Sequence, residues 1–326
     1  MSAMNYGNLF TITLPETILE VLSLLVLIVD LAWMRKSAQA TRMAMACVLG
    51  VAGCTLAIVW LLAHPQAASF GGDALVATPI VAAAQIGILI LTALVLLLSV
   101  KAEFSRNPGE FVAIVLLGTT GMMLVAAARD LLVIFVALEL LSLSLYVLTA
   151  FAKSSAQSAE AALKYYLFGG MSAAFMLFGF SYLYGLTGTT SLTGIAGALA
   201  AQSVSPLLVV ALVLVAAGLG FKIAAAPFHL WAPDTYQGAP APVAALIASG
   251  SKVASFAVLI ALTGGVIASA NYSQNSTWVV LLVWMAAGSI VLGNLAALVQ
   301  SSVRRLLAYS AIAHAGYMLL GIAAHA

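Results

Sequence analysis

The chain has 326 residues, of which 64% are hydrophobic and only 7% charged, with a mean hydropathy of +1.15. A water-soluble domain carries about a quarter charged residues, so a soluble fold is excluded. The net charge of +2 decides little, because its distribution matters more than its sum.

Apolar stretches recur from end to end, each long enough to cross about 30 Å of hydrocarbon as a helix. Ten spans are predicted, at residues 14–34, 43–63, 74–100, 110–128, 131–151, 160–185, 204–226, 241–268, 277–299 and 303–324. Met1 to Thr13 hold no Lys or Arg and no small-residue cleavage site, so the first span is expected to be retained, not removed as a secretory signal. Its Glu16, Glu20 and Asp30 fall near its ends, where solvation is expected. On the second span Cys47 and Cys54 lie about 10 Å apart along the axis, too far for a disulfide, and are expected to be small buried residues. The fourth and fifth spans abut at Arg129-Asp130, and the ninth and tenth at Ser301-Ser302, so both turns must be tight. Lys164, at the start of the sixth span, is expected to snorkel towards the interface.

The seventh span carries an irregularity. Lys222-Ile-Ala-Ala-Ala runs into Pro227-Phe-His229-Leu-Trp231-Ala-Pro233-Asp234, and Pro240 and Pro242 follow, so four of the nine prolines sit in one short stretch. Proline removes a backbone donor and clashes with the preceding turn, which predicts a break near Pro227. Broken helices at membrane depth are tolerated where they are buried in protein or line a wet cavity, a pattern of transport paths.

Orientation follows from the basic residues, since cytoplasmic loops collect Lys and Arg. With the N-terminus on the periplasmic side, the cytoplasmic ends hold Arg35, Lys36, Arg42, Lys101, Arg106, Lys153, Lys164, Arg304 and Arg305, against Arg129 alone on the other side. Arg304 and Arg305 read as cytoplasmic anchors. Two basic residues, Lys222 and Lys252, belong to no loop.

Glu139 lies nine residues beyond the Arg129-Asp130 turn, about 13 Å into the membrane. By the same arithmetic Lys252 lies about 15 Å beyond Pro242, and Lys222 about 24 Å beyond Pro206, past the midplane unless its helix tilts or breaks early. Each such charge costs roughly 2.5–3.5 kcal/mol at the centre of an isolated helix. Two readings stand for them: a proton relay, bridged by water or by His229, Ser249, Ser251 and Tyr146, or ion pairs that only pin helices together. His229 and His314 are candidate relay residues and equally candidate interface residues. No CxxC, HExxH, GxGxxG or P-loop pattern occurs, so no nucleotide, flavin, iron–sulfur or metal site is expected in this chain, and no nucleic-acid partner.

Three strings identify a family. They are Asp130-Leu-Leu-Val-Ile-Phe-Val-Ala-Leu-Glu139-Leu-Leu-Ser-Leu-Ser-Leu-Tyr146 with Ala161-Ala-Leu-Lys164-Tyr-Tyr-Leu-Phe-Gly-Gly; Gly220-Phe-Lys222 through Pro242; and Arg304-Arg305-Leu-Leu-Ala-Tyr309-Ser-Ala-Ile-Ala-His314-Ala-Gly316-Tyr317. From about residue 15 onward the chain resembles the antiporter-like membrane subunits of bacterial NADH-quinone oxidoreductase (respiratory complex I), of the subunit N type. The resemblance implies an all-α polytopic protein of the inner membrane, with a proton path through Glu139, Lys222 and Lys252. It further implies an N-terminal three-helix segment (1–109), a five-helix unit (110–268) with its seventh helix broken at proline, and the start of a second, inverted unit (269–326). That second unit is expected to be incomplete, since the sequence at hand reaches Ala326 before the broken helix and further Lys that the family places there. Quinone, NADH, FMN and iron–sulfur clusters are implied for other subunits, and the expected partners are neighbouring membrane subunits, the lipid bilayer and protons. The rival functions are a secondary cation/proton antiporter and a purely structural membrane subunit.

Overall fold

A computed structural model describes residues 6–65, 68–104, 106–200, 205–264 and 277–325. Ten helical spans among these are long and apolar enough to cross a membrane. Helix α1 (Tyr6–Ile28) runs into a π-helical turn, Val29–Trp33, and α2 (Gln39–Ala63) returns. Pro15 lies inside α1 and leaves the Thr11 carbonyl without its helical donor; the Trp60 indole of α2 donates to that carbonyl at 3.3 Å. A two-stranded antiparallel hairpin, β1 (Ala68–Phe70) and β2 (Leu75–Ala77), follows. Its turn passes through three successive left-handed residues, Gly71, Gly72 and Asp73, and the two glycines adopt that conformation without a Cβ clash.

Next come α3 (Pro79–Ser99), α4 (Pro108–Ala127), α5 (Leu131–Thr149) and α6 (Ala156–Thr187). The turn between α4 and α5 is as tight as the sequence predicts. Asp130 caps α5 by accepting from the Leu132 and Val133 amides at 2.9 and 3.4 Å, and Thr190 donates to its other oxygen at 2.5 Å. The Arg129 amide donates to the Ala74 carbonyl at 2.9 Å, so hairpin, turn and the segment after α6 lie on one face. Helix α4 is enclosed along its length, whereas α5 turns Leu132, Val136, Leu143 and Val147 outward, as a lipid-facing stripe should. Gly121 of α4 allows the close approach of α5: an added Cβ would stand 2.7 Å from the Leu141 backbone nitrogen.

The remaining helices are α7 (Leu192–Ala200), α8 (Pro206–Ile223), α9 (Trp231–Gly238), α10 (Ala241–Ala248), α11 (Gly250–Leu262), α12 (Thr277–Leu298) and α13 (Val303–His325). Several sequence-based expectations need correction. The predicted start of the third span belongs to the hairpin, and α7 was not foreseen. The eighth span is interrupted at Ser249, whose ψ of −81° separates α10 from α11, and its predicted end, like the expected boundary at 268/269, lies outside the described residues. Glu16 and Asp30 are buried, not solvated. Lys164 is bound into ion pairs with Glu160 at 2.7 Å and Asp234 at 2.8 Å. Arg305 also grips Asp234, at 2.6 Å, and Arg304 donates to the Gln237 and Ala239 carbonyls at 3.2 and 3.4 Å. These cations staple α6, α9 and α13 together. Cys47 and Cys54 are free and buried, as expected.

Candidate functional site: a lysine–glutamate pair at a broken helix

Lys222 occupies the last turn of α8, and the helix stops two residues later because Ala224 adopts a left-handed conformation (φ 58°). The break therefore precedes Pro227 by three residues. Several of its loose backbone groups find partners. The Ala225 amide donates to the Gly220 carbonyl at 2.8 Å, and the Ala226 amide to Ser289 Oγ of α12 at 2.8 Å. The Trp231 indole closes the Phe221 carbonyl at 3.0 Å and stacks on Tyr165 of α6, with ring centroids 4.4 Å apart. Beside a membrane span, neighbouring side chains thus satisfy part of the backbone that the proline-rich segment leaves open.

From this helix end the Lys222 side chain reaches α5. Long side chains on a helix lean back towards its N-terminus, which brings the ammonium to the level of Glu139 despite the position of its Cα far along α8. Lys222 Nζ stands 3.9 Å from Glu139 Oε1, with side-chain exposures of 6% and 26%. It donates a short hydrogen bond to Ser142 Oγ, and Ser142 donates in turn to the Leu138 carbonyl. Glu139 Oε1 is buried and has no hydrogen-bond partner, so the exposed part of that side chain lies at its other atoms. Tyr146, one further turn along, has its hydroxyl buried without a partner above Gly169, whose missing Cβ makes the room. Residues 139, 142 and 146 share one α5 face at helical spacing.

Lys252 sits three residues after the Ser249 interruption. It is buried, and its Nζ donates to the Ala311 carbonyl of α13 at 2.6 Å. Among the described residues no carboxylate lies within ion-pair distance of it. His314 is exposed and lines, with Lys252 and Arg129, a largely apolar cavity of about 680 Å³. His229 is half-buried in the segment between α8 and α9; its Nδ1 has no partner, and burial holds its pKa below the ordinary value.

The structure thus joins Glu139 to Lys222 and places Lys252 and His314 on the wall of one cavity, while among the described residues no direct hydrogen bond connects the two lysines, or either lysine with His229. Ser249 and Ser251, expected as bridges, spend their hydroxyls on the Ala245 and Ile247 carbonyls of their own turns. Ser142 was not singled out in the sequence, although its i+3 spacing from Glu139 was the available signal. Among the described residues no three His, Cys, Asp or Glu side chains converge where a metal ion could be held.

Fold and site together define a polytopic α-helical membrane protein with a buried lysine–carboxylate pair at a broken helix. Residues 128–326 match the family described as NADH:quinone oxidoreductase/Mrp antiporter, transmembrane, and the chain belongs to that family. It is 48% identical over 339 aligned positions to NADH-quinone oxidoreductase subunit N 2 of Acidobacterium capsulatum, covering 100% of this chain and 68% of the relative. Identity to NAD(P)H-quinone oxidoreductase subunit 2 of Gloeobacter violaceus is 41%, over 99% of this chain and 61% of the relative. Among solved structures, respiratory complex I from Thermus thermophilus with bound aureothin contains a chain of similar fold, with a TM-score of 0.77, 35% identity, and coverage of 94% of this chain and 64% of that one. The chain thus spans roughly two thirds of the length of these three relatives.

Proposed function

We propose that this chain is a proton-translocating membrane subunit of an NADH-quinone oxidoreductase in a bacterial inner membrane, with its N-terminus on the periplasmic side. The observation that carries this reading is the Glu139–Lys222 pair, set at a helix break, with Ser142 accepting a hydrogen bond from the lysine. An ammonium and a carboxylate 3.9 Å apart are close enough to stabilise each other, yet not locked in a direct hydrogen bond. A proton arriving at Glu139 weakens its hold on Lys222, so the lysine can pass a proton onward towards Lys252 through water. Lys252, which donates to the Ala311 carbonyl and lines a cavity with His314, is the next station, with His314 and His229 as further relay candidates. Residues 110–268 serve as the five-helix unit that houses this path. On this reading quinone reduction, with NADH, FMN and iron–sulfur clusters, belongs to partner subunits; the names of the relatives, NADH-quinone oxidoreductase subunit N 2 and NAD(P)H-quinone oxidoreductase subunit 2, support the NADH and quinone chemistry.

The test is NADH-driven proton uptake by inverted membrane vesicles, comparing the native protein with Lys222→Ala at matched complex abundance. Pumping is expected to fall to background with the complex assembled. Unchanged protons per electron would overturn the relay and leave these charges as interhelical glue; sodium-dependent flux without NADH would instead establish a secondary antiporter.

A further inference from the structure

A second set of buried polar side chains runs through the first four helices, apart from the Glu139–Lys222 pair. On α1 and the π-helical turn that continues it, Glu16, Ser23 and Asp30 are buried at seven-residue intervals, and on α3 Gln85, Thr92 and Ser99 repeat the interval. Seven residues are two turns, about 10 Å, so each helix hides a polar stripe on one face. Cross-links tie the stripes together. Gln85 Nε2 donates to Glu16 Oε1 at 2.8 Å and to the Met123 carbonyl of α4 at 3.3 Å. The hydroxyls of Thr92 and Thr119 lie 3.0 Å apart. At one end Asp30 is fully answered: Arg42 grips both its oxygens at 2.7 Å, and the Gly109 amide donates at 3.2 Å.

Glu16, at the other end, is not answered in this way. It is 3% exposed, its Oε2 is buried with no hydrogen-bond partner, and no basic nitrogen of the described residues lies within ion-pair distance. A buried carboxylate without a cation is costly, and a bound proton removes the charge and supplies a donor. Its hydrogen-bond partner Gln85 helps line a cavity of about 340 Å³ on the hairpin side, with Asn8, Thr11, His64 and Thr78, which brings water to within one side chain of the acid. The groups around Glu16 are few. The chain just beyond α2 contributes His64 on the cavity wall, α3 contributes Gln85, α4 the Met123 carbonyl, and α1 itself the exposed Glu20.

We propose that Glu16 is a second proton-binding site of this protein, exchanging with the hairpin face through the cavity at Gln85 and independent of the Glu139–Lys222 pair. The test is pH-difference infrared spectroscopy on the full chain in liposomes, following the carbonyl stretch of protonated carboxylic acids. A titrating band is expected that disappears in Glu16→Gln, shifts in frequency in Gln85→Leu, which removes one hydrogen bond, and persists in His64→Gln. Glu16→Asp guards against a folding failure, because it keeps the acid and must keep a shifted band. A spectrum unaltered by Glu16→Gln would overturn the proposal, as would a Glu16 signal that follows sodium concentration and not pH, the mark of a cation site. Neither result depends on NADH or on the relay proposed above.

Discussion

Replacing Glu139 by Gln removes the charge that faces Lys222 while keeping the shape of the side chain. At 3.9 Å two unit charges interact by about 4 kcal/mol for an effective dielectric constant of about 20. The variant leaves an ammonium, with 6% side-chain exposure, held by one hydroxyl, and stranding one partner of a buried pair costs about 3–5 kcal/mol. Lys222→Met strands Glu139 instead, but that side chain is 26% exposed, less deeply buried than the ammonium, so the cost is smaller. The double variant Glu139→Gln/Lys222→Met buries no unpaired charge and is expected to be more stable than Glu139→Gln alone. Equilibrium unfolding in mixed micelles gives all four corners of this cycle, with an expected coupling of about 2–3 kcal/mol. Additive single effects, with coupling below about 0.5 kcal/mol, would show that the two groups do not sense each other and would refute the electrostatic reasoning.

Asp234 gives a pH prediction. Burial alone would raise its pKa, but hydrogen bonds from Lys164 and Arg305 outweigh burial and hold it below the usual carboxylate range. A depressed folded-state pKa contributes stability that is present above the unfolded value near 4 and is lost as pH falls through the folded one. The thermal midpoint should therefore drop below about pH 4, and Asp234→Asn should flatten that part of the profile. His229 acts in the same direction at higher pH. Burial lowers its pKa, so the unfolded chain binds the proton first and stability falls as pH drops below about 6.5, a loss that His229→Gln should abolish. Gly169→Ala would set a Cβ 1.8 Å from the Tyr146 hydroxyl oxygen, and its thermal midpoint should reflect a loss of about 1–3 kcal/mol, partly relieved by Tyr146→Phe. Ser289→Ala removes the acceptor of the buried Ala226 amide and should cost about 1–3 kcal/mol, measured by the same unfolding assay.

Hydropathy made the ten spans legible because lipid imposes one length and one composition on every crossing helix. The break after Lys222 was legible through proline chemistry. Its position was off by three residues because Ala224, an ordinary helix former, takes the left-handed turn, and nothing in its local sequence demands that. The interruption at Ser249 falls directly before Gly250, a local signal that the hydropathy reading passed over. Helix α7 and the hairpin were missed because they lie beside the spans, in segments too short for a hydropathy window. The three ionisable residues stood out by depth alone, but which of them touch was not legible: Lys222 meets Glu139 through the lean of its side chain, and Lys252 meets a backbone carbonyl. Glu16 was misread for a related reason. Distance from a helix end measures depth along one axis, while burial depends on which neighbour stands beside the residue, here Gln85.

The segment from Ala224 to Gly238 is fastened at both of its ends. Ser289 of α12 holds the Ala226 amide, and Arg305 of α13 holds Asp234. The end of α8 that carries Lys222 is thereby tied to the α12–α13 pair, whereas Glu139 is carried by α5. The 3.9 Å between the two groups lies at the margin of ion-pair contact, so it is set jointly by the packing of α5 and by that of α12 and α13.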